Sequence, residues 1–133
     1  MLDSGKNLFR KGFANPNSPL FIKVEQFRPT PKQVTDLIHK AGGKAFLAHP
    51  YQYAFTDIFE MINKLRKECD LDGIEVYHSS FTKQEMTNLE KYTKNNKLYM
   101  SGGSDYHGTR KPEISLKTGC NNLFIEKKIL SCL

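Results

Sequence analysis

The 133 residues read as an α/β domain organised around a parallel sheet. Three times between Thr30 and Met100 an amphipathic segment at helical spacing gives way to a short apolar run. That alternation, at intervals of roughly 25 residues, is the pattern of βα repeats. Each apolar run also gives out into histidine-bearing sequence: His49, His78 and Ser104-Asp105-Tyr106-His107. Parallel strands joined by helices end on one common edge, and α/β proteins carry their sites there.

Residues 1–29 lack this regularity. Gly5, Gly12, Pro16, Pro19 and Pro29 punctuate short apolar patches, of which Leu20 to Val24 is long enough for one strand. A single domain spanning 1–133 is expected, with 1–29 an irregular lead-in and 30–119 its βα core. Thr30-Pro31-Lys32-Gln33 has the form of a capping box with proline at the first helical position. Val34, Leu37, Ile38 and Ala41 supply an apolar stripe, and Gly42-Gly43 closes that helix. Ala45 to Ala48 is a continuous apolar run suited to a strand buried on both faces. Phe55, Ile58, Ile62 and Leu65 mark a second helix, followed by a strand from Gly73 to Tyr77. Thr82-Lys83-Gln84-Glu85 is another capping box, opening a helix through Met86, Leu89 and Tyr92. Lys97 to Met100 forms the third strand, and a last one is expected around Asn122 to Ile125.

Composition narrows the function classes. The 38% hydrophobic and 26% charged residues are ordinary for a soluble globular chain. Its longest apolar runs are far too short to span a bilayer, and MLDSGKNLFRKG lacks the apolar core of a signal peptide. Cys69, Cys120 and Cys132 are odd in number and scattered, which argues against a disulfide framework and for reduced thiols in the cytoplasm. The net charge of +6 is dispersed in segments such as KLRKE and EKYTKNNK, which read as solvated helix faces. A basic stripe interleaved with stacking aromatics, as nucleic-acid binders carry, is not evident. No cysteine shares a strand end with a histidine, and Gly42-Gly43 follows a helix where a phosphate loop would open one.

The strand ends carry the chemistry. Asp105 and His107 stand two residues apart, which in extended backbone puts both side chains on one face. Gly102 and Gly103 allow close backbone approach, and Gly108 frees the exit. A carboxylate and an imidazole joined by His49 from a neighbouring strand would suit a divalent cation. Each has a plainer reading alone: Asp105 as turn former, His107 as loop histidine, His49 as a strand-end residue bonded to the next loop. Their joint placement favours the metal. His78 ranks below them, because Ser79-Ser80 reads as an exposed loop. Glu75, opposite Ile74 and Val76 in a buried strand, either orients a ligand or pairs with a lysine. His39 reads as an exposed or partly buried helix residue.

AGGKAFLAHP, LDGIEVYHSSFT and SGGSDYHG, in this order and spacing, resemble the PHP (polymerase and histidinol phosphatase) superfamily, its TrpH-like metal-dependent phosphoesterases in particular, from Thr30 to Gly119. The resemblance implies the C-terminal part of a distorted (β/α)7 barrel. It implies hydrolysis of phosphate esters of nucleotide or nucleic-acid type by water activated on Mn, Zn, Fe or Mg. It places metal-ligand roles on His49 of the AHP motif and on Asp105 and His107 of the GSDxH motif. Tyr106 takes a place where aromatics are common. His78 and Lys111 become candidate substrate-binding residues, Lys111 being also readable as a solvated lysine; no general acid is assigned. Phe81 stands where many TrpH-like relatives carry histidine, so any role of that histidine is lost.

No HxH motif opens the chain, and no histidine precedes Thr30. The family's first half is therefore missing, as expected of a fragment or a shortened gene, and three ligands would hold one ion weakly. A half barrel has unpaired sheet edges, which implies self-association or a second chain supplying the rest. A phosphorylated small molecule or nucleotide is the expected partner, and no membrane is. The alternative is a catalytically inactive half barrel that serves as a binding or assembly module.

Overall fold

The computed structural model describes residues 11, 13–23 and 27–116, together with the backbone of 118–119 and 123–124. The chain divides into two units, Met1–Thr30 and Pro31–Leu133. In the first, the described backbone is a series of turns: Ser18 N–H donates to Asn15 O at 2.9 Å and Phe21 N–H to Ser18 O at 3.0 Å. Residues 20–23, the described part of the strand expected over Leu20 to Val24, form no strand. The Ser18 hydroxyl accepts from Leu20 N–H at 3.1 Å and turns the chain there.

The second unit is built around a three-stranded parallel sheet. Its helices are α1 (Pro31–Lys40), α2 (Ile58–Glu68) and α3 (Lys83–Asn95). Its strands are β1 (Phe46–Leu47), β2 (Gly73–His78) and β3 (Tyr99–Gly103), in the order β1-β2-β3. Both pairings are parallel, with α2 and α3 as the crossovers. Two further strands, β4 (Thr118–Gly119) and β5 (Leu123–Phe124), pair antiparallel as a separate ribbon. β5 is the described part of the strand expected over Asn122 to Ile125.

β2 is central because its sequence suits burial. Ile74 and Val76 are wholly inaccessible, and they pack with Leu47, Ile58, Ile62, Phe81 and Leu89 in one core. Ile58 and Ile62 come from α2 and Leu89 from α3, so each crossover helix lays its apolar face on the sheet. Asp57 caps α2, accepting from the Phe59 and Glu60 N–H groups. The helix therefore begins at Ile58, and Phe55, expected as its first apolar residue, is 60% exposed. The capping box at Thr82 and Glu85 forms in full.

Three other expectations are corrected. The run Ala45 to Ala48 is not buried on both faces: Ala45 and Leu47 are buried, whereas Ala48 is exposed and Phe46 partly so. β1 is an edge strand with one neighbour, which explains the alternation. In α1 the buried residue is Thr35, while Val34 and Leu37 of the anticipated stripe are exposed, Leu37 at 68%. The helix is held instead by its next turn, where His39 Nε2 meets Asp72 Oδ2 at 2.7 Å. β3 starts at Tyr99, later than the expected Lys97, because Lys97 takes a positive φ of 54° in the turn leaving α3. The strand also runs on past the expected Met100 to include Gly102 and Gly103.

Asp72 ties the amino edge together. Its Oδ2 accepts from Ala45 N–H at 2.6 Å as well as meeting His39, and Lys44 Nζ lies 3.9 Å from Oδ1. Its backbone N–H donates to Ala45 O, and its own carbonyl accepts from Tyr99 N–H, each at 2.9 Å. Burial pushes this carboxyl up, but the His39 and Ala45 hydrogen bonds and the charges of His39 and Lys44 outweigh it and hold it below 3.8. A carboxyl lowered on folding contributes stability above its unfolded pKa and loses it as pH falls through the folded value. Asp72→Asn is expected to lower unfolding free energy by about 1 kcal/mol at neutral pH. Urea titrations at neutral pH and below about pH 4 should show the wild type losing that advantage over the variant in acid.

Candidate metal centre

The carboxyl edge of the sheet gathers His49 after β1, His78 at the end of β2, and the Asp105–His107 loop after β3. The middle strand sets the geometry through a bulge. Glu75 pairs with Ser101 and Tyr77 with Gly102, so Val76 is the extra residue on β2. Gly102 is required by this close fit, because a Cβ there would lie 2.8 Å from Tyr77 Cβ and 3.0 Å from Tyr77 O.

Glu75 reaches across to β1. Its Oε2 accepts from the His49 backbone N–H at 2.7 Å, and a Cβ on Gly103 would come within 3.2 Å of Oε1. The carboxylate therefore steadies His49 in a left-handed conformation, φ 30° and ψ 59°, at the entry to the turn Pro50–Gln52. Of the two roles open to Glu75 in the sequence, the contact is with the backbone of a candidate ligand. The His49 ring lies 5.9 Å from the His78 ring and 5.9 Å from that of Tyr53. Its Nδ1 is buried with no hydrogen-bond partner among the described residues.

His78 is 2% exposed, which corrects the expectation of an exposed loop: β2 runs through to it, and Ser79 is equally buried. The Phe81 ring packs 5.1 Å away, filling with core hydrocarbon the place discussed for a further histidine. The His78 Nδ1 accepts from Ser80 N–H at 3.1 Å, so the neutral ring carries its proton on Nε2. That Nε2 lies 3.9 Å from Asp105 Oδ2. Burial lowers the His78 pKa below 6.5 despite the raising charges of Glu75 and Asp105.

Asp105 has φ 54°, so the backbone from Asp105 to His107 is not extended and the same-face argument for the pair does not hold. Asp accepts this left-handed conformation more readily than most residues. It folds the loop so that His107 Nδ1 lies 2.7 Å from Asp105 O and 3.4 Å from Asp105 Oδ1. A carbonyl only accepts, so Nδ1 carries the proton and the neutral His107 ring keeps its lone pair on Nε2. The side chain is 45% exposed. Lys111 Nζ donates to Asp105 Oδ2. This hydrogen bond holds the Asp105 carboxyl below 3.8 against the opposing effect of burial.

The donor types suit a divalent cation, but in the described residues they do not converge. His107 offers an imidazole lone pair whose tautomer is fixed by a bond at its other nitrogen, the usual arrangement of a ligating histidine. Asp105 offers carboxylate oxygens on the same loop, and the Nδ1 of His49 is buried without a hydrogen-bond partner among the described residues. Closure is what is missing: among the described residues no three His, Cys, Asp or Glu side chains form one ion-holding group. The sequence carried no signal for the Lys111–Asp105 pair, which depends on the turn between them.

No family profile matches the sequence. Over 110 residues the chain is 35% identical to the 5'-3' exoribonuclease Rnm of Escherichia coli, a match covering 80% of this chain and 34% of the relative. It is 36% identical over 78 residues to a phosphoribosyl 1,2-cyclic phosphate 1,2-diphosphodiesterase of Eggerthella lenta, covering 57% of this chain and 28% of the relative. Among solved structures, one assigned as a metal-dependent phosphoesterase from Bifidobacterium adolescentis matches with a TM-score of 0.63 and 25% identity. That likeness covers 92% of this chain and 42% of the other. The α/β arrangement with a parallel sheet is thus part of a phosphoesterase fold. The resemblance read from the three motifs is borne out: over the part it covers, the chain is similar to metal-dependent phosphoesterases and to phosphate-ester hydrolases acting on nucleic acid. It spans less than half the length of each of these relatives.

Proposed function

We propose that the chain takes part in metal-dependent hydrolysis of phosphate esters of the nucleotide or nucleic-acid type. His49, Asp105 and His107 hold the cation, and His78 and Lys111 meet the phosphate. The observation that carries this reading is the Asp105–His107 loop, where one turn sets a carboxylate beside an imidazole whose Nδ1 is held by the Asp105 carbonyl, leaving the lone pair on Nε2. A bound divalent cation, whether Mn, Zn, Fe or Mg, supplies Lewis acidity toward a phosphate oxygen and a more acidic water. The chain's own residues do the rest. His78, kept neutral by burial, donates from Nε2 to a phosphate oxygen; Lys111 balances its charge; Glu75 steadies His49.

The names of the relatives support the ester chemistry: one is a ribonuclease and one a cyclic phosphate diesterase. In this reading residues 1–133 form one partial PHP-like domain in the cytoplasm, the C-terminal part of a distorted barrel. No helix among the described residues is long and apolar enough to cross a membrane. A second copy or another chain completes the barrel, in keeping with β1 and β3 each pairing on one side only among the described residues. The lack of a three-donor group among those residues favours a second reading, an inactive half barrel acting as a binding or assembly module.

The full chain assayed with p-nitrophenyl phosphate and its bis ester, with Mn2+ and then EDTA, separates the two. Turnover that appears with Mn2+ and disappears with chelator is expected. Turnover indifferent to EDTA would refute the metal reading, and an absence of turnover with Mn2+ bound would establish the inactive module.

A further inference from the structure

The carboxyl edge of the sheet also carries exposed aromatic rings. Among the described residues of the unit Pro31–Leu133, the large aromatic side chains left exposed are Tyr53, Phe55 and Tyr106, at 42%, 60% and 49%. All three stand on loops that leave the carboxyl ends of strands: Tyr53 and Phe55 between β1 and α2, Tyr106 after β3. Tyr51 by contrast turns inward and meets the Phe81 ring edge-on at 5.5 Å. Tyr53, two residues on in extended backbone, has its ring 5.9 Å from that of His49. From there the neighbours run on in a row. The His49 ring lies 5.9 Å from that of His78, and His78 Nε2 lies 3.9 Å from Oδ2 of Asp105, the residue before Tyr106. Two exposed tyrosines thus flank the histidine of the central strand, one after each outer strand. They are 53 residues apart in the chain, so no aromatic pattern in the sequence marks them.

A polar-tipped ring left in water beside imidazoles and cations suits a flat aromatic ligand that carries charge on its other side. Arg110 is exposed and Lys111 partly so on the turn that follows Tyr106, which places cations for a phosphate backbone near the ring. A protein partner would bury those cations along with the rings, at a cost in desolvation. A nucleic-acid strand brings phosphates to them instead. We infer that Tyr53 and Tyr106 are stacking platforms for the bases of a single-stranded nucleic acid that crosses the carboxyl edge, its phosphates toward His78 and the Arg110–Lys111 turn. The inference rests on the nucleotide-type reading of this edge and narrows it. Platforms on opposite sides of His78 select a strand of several nucleotides over a mononucleotide or a sugar phosphate. Stacking needs no ion, so it holds with or without a bound cation.

The test is fluorescence anisotropy of a labelled oligoadenylate of about ten nucleotides with the full chain in EDTA, which separates binding from metal-dependent turnover. Tyr53→Ala and Tyr106→Ala are each expected to weaken binding about tenfold. Tyr53→Phe and Tyr106→Phe keep the ring and should stay within about twofold of wild type. Both side chains are exposed, so all four variants should keep the wild-type urea midpoint. An abasic strand of the same length should bind the wild type about tenfold more weakly and should not distinguish the variants. Alanine variants that bind oligoadenylate as the wild type does would overturn the platforms. So would a wild type that binds neither strand or binds both equally. A changed oligomeric state of the alanine variants in size-exclusion chromatography, with oligoadenylate binding intact, would overturn them too and assign the rings to a protein interface. Each of these results leaves the phosphate-ester reading standing, since that is decided separately by turnover of the p-nitrophenyl esters with Mn2+.

Discussion

His107→Ala is expected to raise the Mn2+ concentration needed for half-maximal hydrolysis by about 100-fold, since loss even of residues that only support a ligand costs 10- to 100-fold in affinity. His107 Nδ1 is occupied by the Asp105 carbonyl at 2.7 Å, so Nε2 is the atom whose loss removes a donor. Its side chain is 45% exposed and lies outside the apolar core. The same substitution should therefore leave the urea midpoint within the equivalent of about 0.5 kcal/mol. His107→Asn, which keeps a polar group but no imidazole, should lose Mn2+ response to a similar degree. A normal Mn2+ dependence in His107→Ala, at unchanged stability, would remove this residue from the site.

Gly73→Ala is the largest expected loss of stability, about 3 kcal/mol. A Cβ there would lie 2.7 Å from the backbone oxygen of Tyr99 and 2.2 Å from Phe46 Cε1. The Phe46 ring has room to swing, being only partly buried at an edge strand, but Tyr99 O has none. Gly73 pairs with Phe46 on one side and Tyr99 on the other, so moving it displaces both neighbours of the central strand. With total stabilities of about 5–15 kcal/mol for domains of this kind, that is a large fraction. Urea unfolding should show the midpoint well below wild type; an unchanged midpoint would mean that the three strands do not meet as described.

Some features were legible because local chemistry and tertiary packing agree. β2 and its burial follow from Ile74 and Val76, and the start of α3 from the capping box of Thr82 and Glu85. The strand ends that hold His49, His78 and Asp105–His107 follow from the alternation of helix and strand. Where the reading failed, a single backbone conformation or a distant partner decided the outcome. Lys97 at positive φ delayed β3, and Asp105 at positive φ replaced an extended pair by a folded loop. The contact of Glu75 with the His49 backbone spans two strands. The Lys111 contact depends on the turn Gly108–Arg110, whose path no apolar period reveals. In α1 the anticipated stripe through Val34 and Leu37 is exposed, and the helix meets the sheet edge through His39 and Asp72, a partner 33 residues away.

Asp105 and His107 are expected to bind a cation together. Calorimetric titration of the full chain with Mn2+, beside the double variant Asp105→Asn/His107→Ala, measures this directly. Saturable binding that EDTA reverses is expected for the wild type and its loss in the double variant. Equal binding by the two proteins, at equal stability, would contradict the assignment.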